Sequence, residues 1–189
     1  MSAPQTIFKA LQGTWTLRRS LSSAIPTFPS GTFTGTATLA PLASSPQTSL
    51  LYSESGELKT ESGLVLRANK KYIYRYDDSE DKISAWFVKE SHANKASGSN
   101  NTNTSSEPSV EPDYLFHDLV FSPDALSALS DATVADCRMT ASGDHLCIKD
   151  NYAARYAFEF QAGQLKSWSL RYNVKGPSKD YISETRFER

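Results

Sequence analysis

The sequence has few cysteines, almost no net charge and no long apolar run, and each of these absences argues against a class of protein. Two cysteines in 189 residues are too few for a disulfide-dense secreted scaffold. The 20 Lys and Arg residues against 21 Asp and Glu residues give a formal net charge of -1, which argues against a nucleic-acid binder and a polybasic membrane-surface protein. No stretch approaches the ~20 apolar residues that a membrane-spanning helix needs.

What is present indicates one folded cytoplasmic domain. Hydrophobic residues make up 39% of the chain and aromatic residues 11%, too apolar a composition for a chain that is disordered throughout. The length predicts a single domain over residues 1–189. Residues 1–12 hold one lysine and no apolar run of signal-peptide length, so we expect a cytoplasmic protein. Cys137 and Cys147 could pair across neighbouring strands, but a reducing cytosol favours two free thiols.

Alternation of apolar and polar residues, which is typical of β-strands, dominates the chain. Residues 32–39, 152–160 and 165–174 show it most clearly. We count about nine or ten such segments, joined mainly by short turns and without helical patterns between them, which argues against a parallel α/β sheet. We therefore predict an all-β fold, a single antiparallel up-and-down barrel, with a β-sandwich as the alternative.

Three segments interrupt the strand pattern. Residues 90–112 are rich in Ser, Asn and Thr and nearly free of apolar side chains, so we predict a disordered loop within the barrel. Ser122-Pro123-Asp124 has the capping residues and early proline of a helix start, which predicts one short helix of at most two turns. Ala141-Ser142-Gly143-Asp144 is typical of a turn between two strands.

The segment Leu11-Gln12-Gly13-Thr14-Trp15 resembles the Gly-x-Trp signature that begins the first strand of lipocalins and related calycins. A longer pattern resembles an uncharacterised fungal and bacterial family of unknown-function domains with a calycin-like barrel. That pattern covers nearly the whole chain, with residues 90–112 as an insertion, and it comprises Gly13-Thr14-Trp15, Gly31, Phe33, Gly35, Ala37, Tyr52, Glu54, Gly56, Leu58, Phe116-His117, His145, Cys147, Asp150, Tyr152, Trp168, Gly176-Pro177, Lys179-Asp180-Tyr181 and Arg189.

The resemblance implies a barrel, and it implies no reaction and no functional residues. In lipocalins and related calycins the tryptophan packs at the closed end of the barrel, and a late arginine lies over it. Here the resemblance implies that Arg186 or Arg189 lies over Trp15. A cation stacked on an indole ring contributes about 0.5–2 kcal/mol.

The strongest candidate cluster for chemistry is His117, His145, Cys147, Asp150 and Tyr152. His145 and Cys147 are two residues apart, so in a strand they project from the same face. Facing inward, the group could place a general acid–base or a thiolate inside the barrel. The alternative is structural, with both histidines bonded to the barrel wall and Cys147 as a small core residue.

The same residues could also hold a metal or a haem. Two histidines and a cysteine are plausible zinc ligands, but the spacing lacks the paired motifs that indicate a zinc site. One inward histidine could ligate haem. Because neither possibility has a specific motif to support it, we predict no cofactor.

Other polar residues leave their direction open. The segment 175–181 could bind a carboxylate or phosphate at the barrel mouth, or it could be a turn with solvated lysines. Arg67, Arg75, Arg155 and Arg171 could face either inward or outward. The row Tyr72, Tyr74 and Tyr76 could stack on a planar ligand, although we favour ordinary barrel wall. We expect Glu54 and Glu57, three residues apart around a turn, to point into water.

The leading function hypothesis is binding of a small apolar or aromatic molecule inside the barrel, without nucleic-acid or membrane partners. The candidate ligand-binding residues are Tyr74, Trp86, Phe116, His117, His145, Cys147, Tyr156, Trp168 and Arg171. The second hypothesis is a cofactor-free isomerase, cyclase or hydrolase that uses His117 or His145 as acid–base, with Asp118 or Asp150 to orient it and Tyr152 nearby. The third is a protein-interaction module without a ligand.

Overall fold

The computed structural model describes residues 1–26, 28–45, 47–89, 110–123 and 136–189. The elements are α1 (Ala3–Leu11), β1 (Gly13–Ser23), β2 (Gly31–Pro41), β3 (Ser49–Thr60), β4 (Val65–Asp77), β5 (Lys82–Lys89), β6 (Glu111–Phe121), β7 (Asp136–Cys147), β8 (Asp150–Gln161), β9 (Gln164–Lys175) and β10 (Asp180–Glu188).

Each strand pairs antiparallel with its neighbour in the chain, and β1 pairs with β10, which closes the sheet into a barrel. The predicted all-β antiparallel barrel is therefore confirmed, with ten strands. Closure is a stable solution for a sheet of this size, although β6 and β7 pair only through Val120 with Ser142 and Phe121 with Ala141.

Helix α1, which was not predicted from the sequence, packs at one end of the barrel. Ser2 caps its start, where the side-chain hydroxyl accepts a hydrogen bond from the backbone N–H of Gln5. Its buried residues Ala3, Ile7, Phe8 and Leu11 share one face because they lie three or four residues apart. The helix that was predicted from Ser122 would fall mainly on residues 124–135, outside the described residues. Among the described residues, the structure offers no helix with the length and apolarity that crossing a membrane takes.

Arg189 closes the end of the barrel beneath α1. Its guanidinium lies 3.8 Å from the centroid of the Trp15 ring. The same group donates hydrogen bonds to the carbonyls of Ala10 and Gln12, the acceptors left free where α1 ends. Arg189 is thus the arginine over the tryptophan, whereas Arg186 lies on the outer face and pairs with Glu188.

Strand β7 runs without a break through the predicted turn at residues 141–144, so that prediction is wrong. The turn lies instead at residues 148–149. Gly143 serves close packing rather than a turn, because an added Cβ would lie 2.3 Å from Cδ2 of His117. Cys137 and Cys147 are both free and lie at opposite ends of this one strand, roughly 33 Å apart along it, so they cannot pair with each other.

The predicted loop at residues 90–112 is too long at its carboxyl end. Glu111 and Pro112 belong to β6 and pair with Lys89 and Val88. The remainder of that prediction, residues 90–109, lies outside the described residues.

Candidate functional site

The two halves of the barrel differ in how tightly they are filled. In the half next to α1, the inward-facing side chains of Trp15, Leu17, Met139, Phe158 and Phe187 are essentially inaccessible to water. At the other end, where β5 ends and β6 begins, inward-facing side chains keep part of their accessible surface; these are Tyr72, Phe87, Tyr114, His145, Tyr152 and Tyr172. We call this second half the open half. Its interior is accessible to water and lined by aromatic rings.

The register between β3 and β4 sets which polar groups enter the open half. Tyr52 lies opposite Tyr72, and Glu54 lies opposite Lys70. Residues directly opposite each other in an antiparallel pair project from the same face of the sheet. Since Glu54 is only 4% exposed and contacts other interior side chains, Lys70 also faces the interior.

A buried ion pair joins β1 to β3 inside the barrel. Arg19 donates from Nη1 and Nη2 to the two carboxylate oxygens of Glu54 at 2.7 and 2.6 Å, and from Nε to Oγ1 of Thr185 at 2.7 Å. The hydroxyl of Tyr52 donates to the same carboxylate. Burial acts to raise the pKa of Glu54, but the hydrogen bonds and positive charge of Arg19 outweigh it and hold that pKa below its ordinary value.

Lys70 is a cation without a direct partner among the residues that the structure describes. Within the described parts of the chain, no hydrogen bond and no ion pair engages its ammonium group, and the residue remains exposed. Burial of its surroundings and repulsion from Arg19 lower the pKa of Lys70, and the charge of Glu54 only partly offsets them.

A second polar cluster centres on Tyr156. His117 Nε2 lies 2.8 Å from the Tyr156 hydroxyl, and burial, together with the neighbouring Tyr172 and Tyr74, raises the pKa of Tyr156. Burial and the neighbouring His145 lower the pKa of His117 to about 4, so its ring is neutral near neutral pH. Burial raises the pKa of Tyr74 to about 12, while the interaction with Tyr156 acts in the opposite direction.

A β-bulge explains how two adjacent residues of β6 both face inward. His117 pairs with Ala85 and Leu115 pairs with Trp86, which leaves Phe116 as the extra residue. The ring centroids of Phe116 and His117 are 4.6 Å apart, and both side chains are buried. Phe116 also stacks with Tyr72 and Tyr172, each at 5.7 Å, and so completes an aromatic belt across the open half.

Neither histidine has a carboxylate partner among the described residues. His145 lies among the rings of Phe116, Phe87 and Tyr152, at 5.1 to 6.2 Å. Asp118 pairs instead with Lys82 at 3.4 Å. The structure therefore brings the two imidazoles into one interior without the orienting acid that the enzyme hypothesis requires.

Asp150 holds the turn between β9 and β10 at the open rim. Its Oδ1 accepts a hydrogen bond from the backbone N–H of Ser178 at 3.0 Å, and Gly176 packs too closely against that oxygen to carry a Cβ. In this turn Lys175 pairs with Asp180, while Lys179 donates to the Tyr152 hydroxyl. The two lysines are thus engaged in the structure of the rim.

The structure places seven of the nine candidate ligand-binding residues on the inner face. Those seven are Tyr74, Phe116, His117, His145, Cys147, Tyr156 and Trp168, with Cys147 at the rim. Trp168 lies in the filled half, where it stacks on Phe187 at 3.6 Å, so a ligand in the open half would not reach it.

Trp86 and Arg171 lie on the outer face, which corrects their assignment to the interior. Trp86 pairs in register with Ile73 rather than with the inward tyrosines, and its Nε1 donates to Oγ of Ser84 at 2.8 Å. Arg171 is ion-paired with Glu184 at 3.1 Å. The inner residues of these strands are Phe87 and Tyr172.

Arg19 and Lys70 were not among the residues predicted for the site, and Glu54, which was expected to point into water, is buried inside the barrel. The alternation that identified the strands contained the signal. Arg19 continues the inward series of Trp15 and Leu17, and Lys70 continues the inward row of tyrosines in β4.

A groove of about 980 Å³ lies on the outside of the barrel, over β7 to β10 and β1. Its lining includes Arg18, Arg155 and Arg171, which face away from the interior. Its lining shares no residue with the aromatic belt of Tyr72, Phe116 and Tyr172. Within the described residues, no group of three His, Cys, Asp or Glu side chains is placed to hold a metal ion.

The fold and its interior define a closed antiparallel β-barrel with one filled half and one accessible, aromatic half. The chain belongs to a family of unknown function, DUF6314, whose model matches residues 11–189. It is similar in fold to the S-type phycobiliprotein lyase CPES from Guillardia theta, with a TM-score of 0.51 and 13% sequence identity over 100% of this chain and 93% of that chain. No curated protein matches the sequence significantly.

Proposed function

We propose that the protein binds a small aromatic or apolar molecule in the open half of the barrel. The observation that carries the proposal is that the aromatic side chains of the open half face inward and yet remain accessible to water. Apolar surface that stays hydrated costs free energy, and a ligand that covers it recovers that energy.

The chemistry of the open half suits such a ligand. Binding pockets are mainly apolar, with a few placed polar groups that fix orientation. Here the belt of Tyr72, Phe116 and Tyr172 offers ring faces and edges for stacking. Lys70 and His145 offer polar contacts beside them.

The enzyme hypothesis has less support. His117 is engaged by Tyr156, and its lowered pKa makes it a weak base near neutral pH. Asp150, the acid proposed to orient a histidine, is engaged by the rim turn. The fold shared with a phycobiliprotein lyase is compatible with small-molecule binding, although at 13% identity it supports the barrel alone.

The partner we infer is thus a small molecule rather than a nucleic acid or a membrane. The near-zero net charge supports this, because phosphate-rich partners need a basic surface. We further propose a cytoplasmic location, in keeping with a sequence that has only two cysteines, and imaging of the tagged protein tests it.

The test of binding uses N-phenyl-1-naphthylamine, a neutral probe whose fluorescence rises in apolar surroundings. We expect it to bind the wild-type protein with a micromolar Kd. Ala68 faces inward near the rim and Asn69 faces outward beside it. An Ala68→Trp substitution fills the open half, so it should weaken binding about tenfold, or about 1.4 kcal/mol, whereas Asn69→Trp should leave binding unchanged.

Two results would contradict the proposal. One is the absence of any fluorescence rise with the wild-type protein. The other is equal affinity in the wild-type and Ala68→Trp proteins, because the probe would then bind outside the open half. Circular dichroism of each variant confirms that the barrel is folded.

A further inference from the structure

We propose that the natural ligand of the open half carries an anionic group, such as a carboxylate, sulfonate or phosphate, that pairs with Lys70. This inference rests on the proposed function and specifies the chemical class of the molecule. It depends on the charges that the barrel encloses and on the position of Lys70 among them.

The polar groups around Lys70 leave one positive charge in excess at the mouth of the open half. Lys70 lies at the rim of the open half, two residues before β4 begins to pair with β5, and the inward-facing charged side chains beside it among the described residues are Arg19 and Glu54. Arg19 and Glu54 neutralise each other in a two-pronged ion pair. His117 adds no charge, because its ring is neutral near neutral pH. The charge of Lys70 is left over.

An excess charge in such a place favours a counter-ion. Coulomb interactions are stronger in the barrel than in bulk water, because the surrounding protein is less polarisable. Lys70 lies opposite Glu54, but that carboxylate is already occupied by Arg19 and by the hydroxyl of Tyr52. An anion brought by the ligand would supply the missing partner.

The ammonium group of Lys70 also has hydrogen-bond donors available for a ligand. Arg19 uses three of its five N–H donors on Glu54 and Thr185, whereas the three ammonium donors of Lys70 have no partner among the described residues. Its neighbour on the inner face of β4 is Tyr72, which begins the aromatic belt. A ligand with its anionic group at Lys70 would therefore place a planar body against Tyr72 and Phe116.

The experiment compares two probes that share one hydrocarbon body. 1-Anilinonaphthalene-8-sulfonate carries a negative charge, and N-phenyl-1-naphthylamine carries none. Each is titrated into wild-type protein, Lys70→Met and Lys71→Met. Lys71 is the adjacent lysine on the outer face of the same strand and serves as the matched control.

The wild-type protein should bind the sulfonate more tightly than the neutral probe. Lys70→Met should weaken sulfonate binding about tenfold, change binding of the neutral probe less than about twofold, and leave the barrel folded. Lys71→Met should change neither. Sulfonate binding should also fall in Ala68→Trp, which shows that the probe lies inside the barrel.

The outcomes separate this inference from the proposed function. If the neutral probe binds inside the barrel and the sulfonate binds no better, or binds Lys70→Met equally well, the anionic ligand is refuted while small-molecule binding stands. Sulfonate binding that persists in Ala68→Trp is binding at another surface and also refutes it. If neither probe binds the wild-type protein, the proposed function fails and this inference fails with it.

Discussion

At the scale of single residues, Arg19 and Glu54 form a buried ion pair, and the loss of either partner has a large effect on the free energy of unfolding. Each charge has been removed from bulk water, and each is stabilised by the other through two short hydrogen bonds. Such a pair adds little net stability compared with apolar residues of similar volume, but the loss of one partner strands a buried charge. The pair therefore constrains substitutions at either position.

We predict that Glu54→Gln lowers the free energy of unfolding by about 3 kcal/mol, because the guanidinium of Arg19 loses its counter-ion. The double variant Arg19→Met with Glu54→Met should lose less than the sum of the two single variants. Urea denaturation followed by tryptophan fluorescence measures both values. Glu57→Gln, on the exposed outer face beside Arg67, is the control and should change stability by less than about 0.5 kcal/mol. Additive losses in the double variant would contradict the prediction.

The lowered pKa of His117 predicts that the protein loses stability in mild acid. Its side chain is 3% exposed, and its pKa falls from 6.5 in the unfolded chain to about 4 in the folded barrel. Above pH 6.5 the ring is neutral in both states, so it contributes no pH dependence. Between pH 6.5 and 4 the unfolded chain takes up a proton that the folded chain does not, and the free energy of unfolding should fall by about 3 kcal/mol.

Urea titrations at a series of pH values test this account of His117. His117→Gln should remove most of the fall between pH 6.5 and 4, whereas His145→Gln should retain most of it, because burial is the larger cause of the lowered pKa of His117. The lowered pKa of Glu54 adds a further loss mainly as the pH drops below the ordinary glutamate value of 4.5, so the two effects overlap only at the acid end of the His117 range. An unchanged pH profile in His117→Gln would show that the ring does not control it.

At the scale of elements, the hairpin between β7 and β8 contains a strained turn. Ile148 has a φ of 59°, in the left-handed region, and is 90% exposed. A β-branched residue in that region costs about 1–2 kcal/mol, and this side chain gains nothing from burial. Glycine adopts the same backbone conformation without the steric cost.

Ile148→Gly should therefore raise the free energy of unfolding by about 1 kcal/mol, after allowance for the greater freedom of glycine in the unfolded chain. Thermal or urea denaturation measures the change. Lys149→Gly in the same turn is the control, because that residue does not have a positive φ and gains no relief. A loss of stability in Ile148→Gly would mean that the exposed side chain makes a contact the strain does not outweigh.

The elements also show how far the sequence could predict the structure. Alternation located most of the strands, because a barrel wall demands period two. Alternation could not locate the turn that follows β7. Gly143 looks like a turn residue in the sequence, but it makes room for His117 from the neighbouring strand. Helix α1 could have been predicted locally, from the capping residue Ser2 and the helical spacing of the apolar residues that follow it. We did not predict it, because we interpreted the chain mainly as strands.

The direction of side chains was harder to predict than the strands themselves. In β5 both faces carry large apolar side chains, so the sequence could not tell that Phe87 is inside and Trp86 outside. The bulge at Phe116 shifts the register by one residue and turns His117 inward as well. The pairing of Arg19 with Glu54 joins two strands that are not adjacent in the sheet, so only the closed barrel reveals it.

At the scale of the whole molecule, the two ends of the barrel differ in packing and in access to water. Helix α1, Trp15 and Arg189 seal one end, where the interior is packed and dry. The other end leaves an aromatic interior accessible to water, with one excess positive charge at Lys70. The sealed end accounts for stability, and the open half provides the surface on which a ligand can gain binding energy.

The most direct test of this account is a crystal structure of the protein with 1-anilinonaphthalene-8-sulfonate bound. The account predicts that the naphthalene ring lies against Tyr72 and Phe116 inside the open half, with the sulfonate within hydrogen-bond distance of Lys70. A probe found only in the outer groove beside Arg18 and Arg155, with nothing inside the barrel, would contradict it.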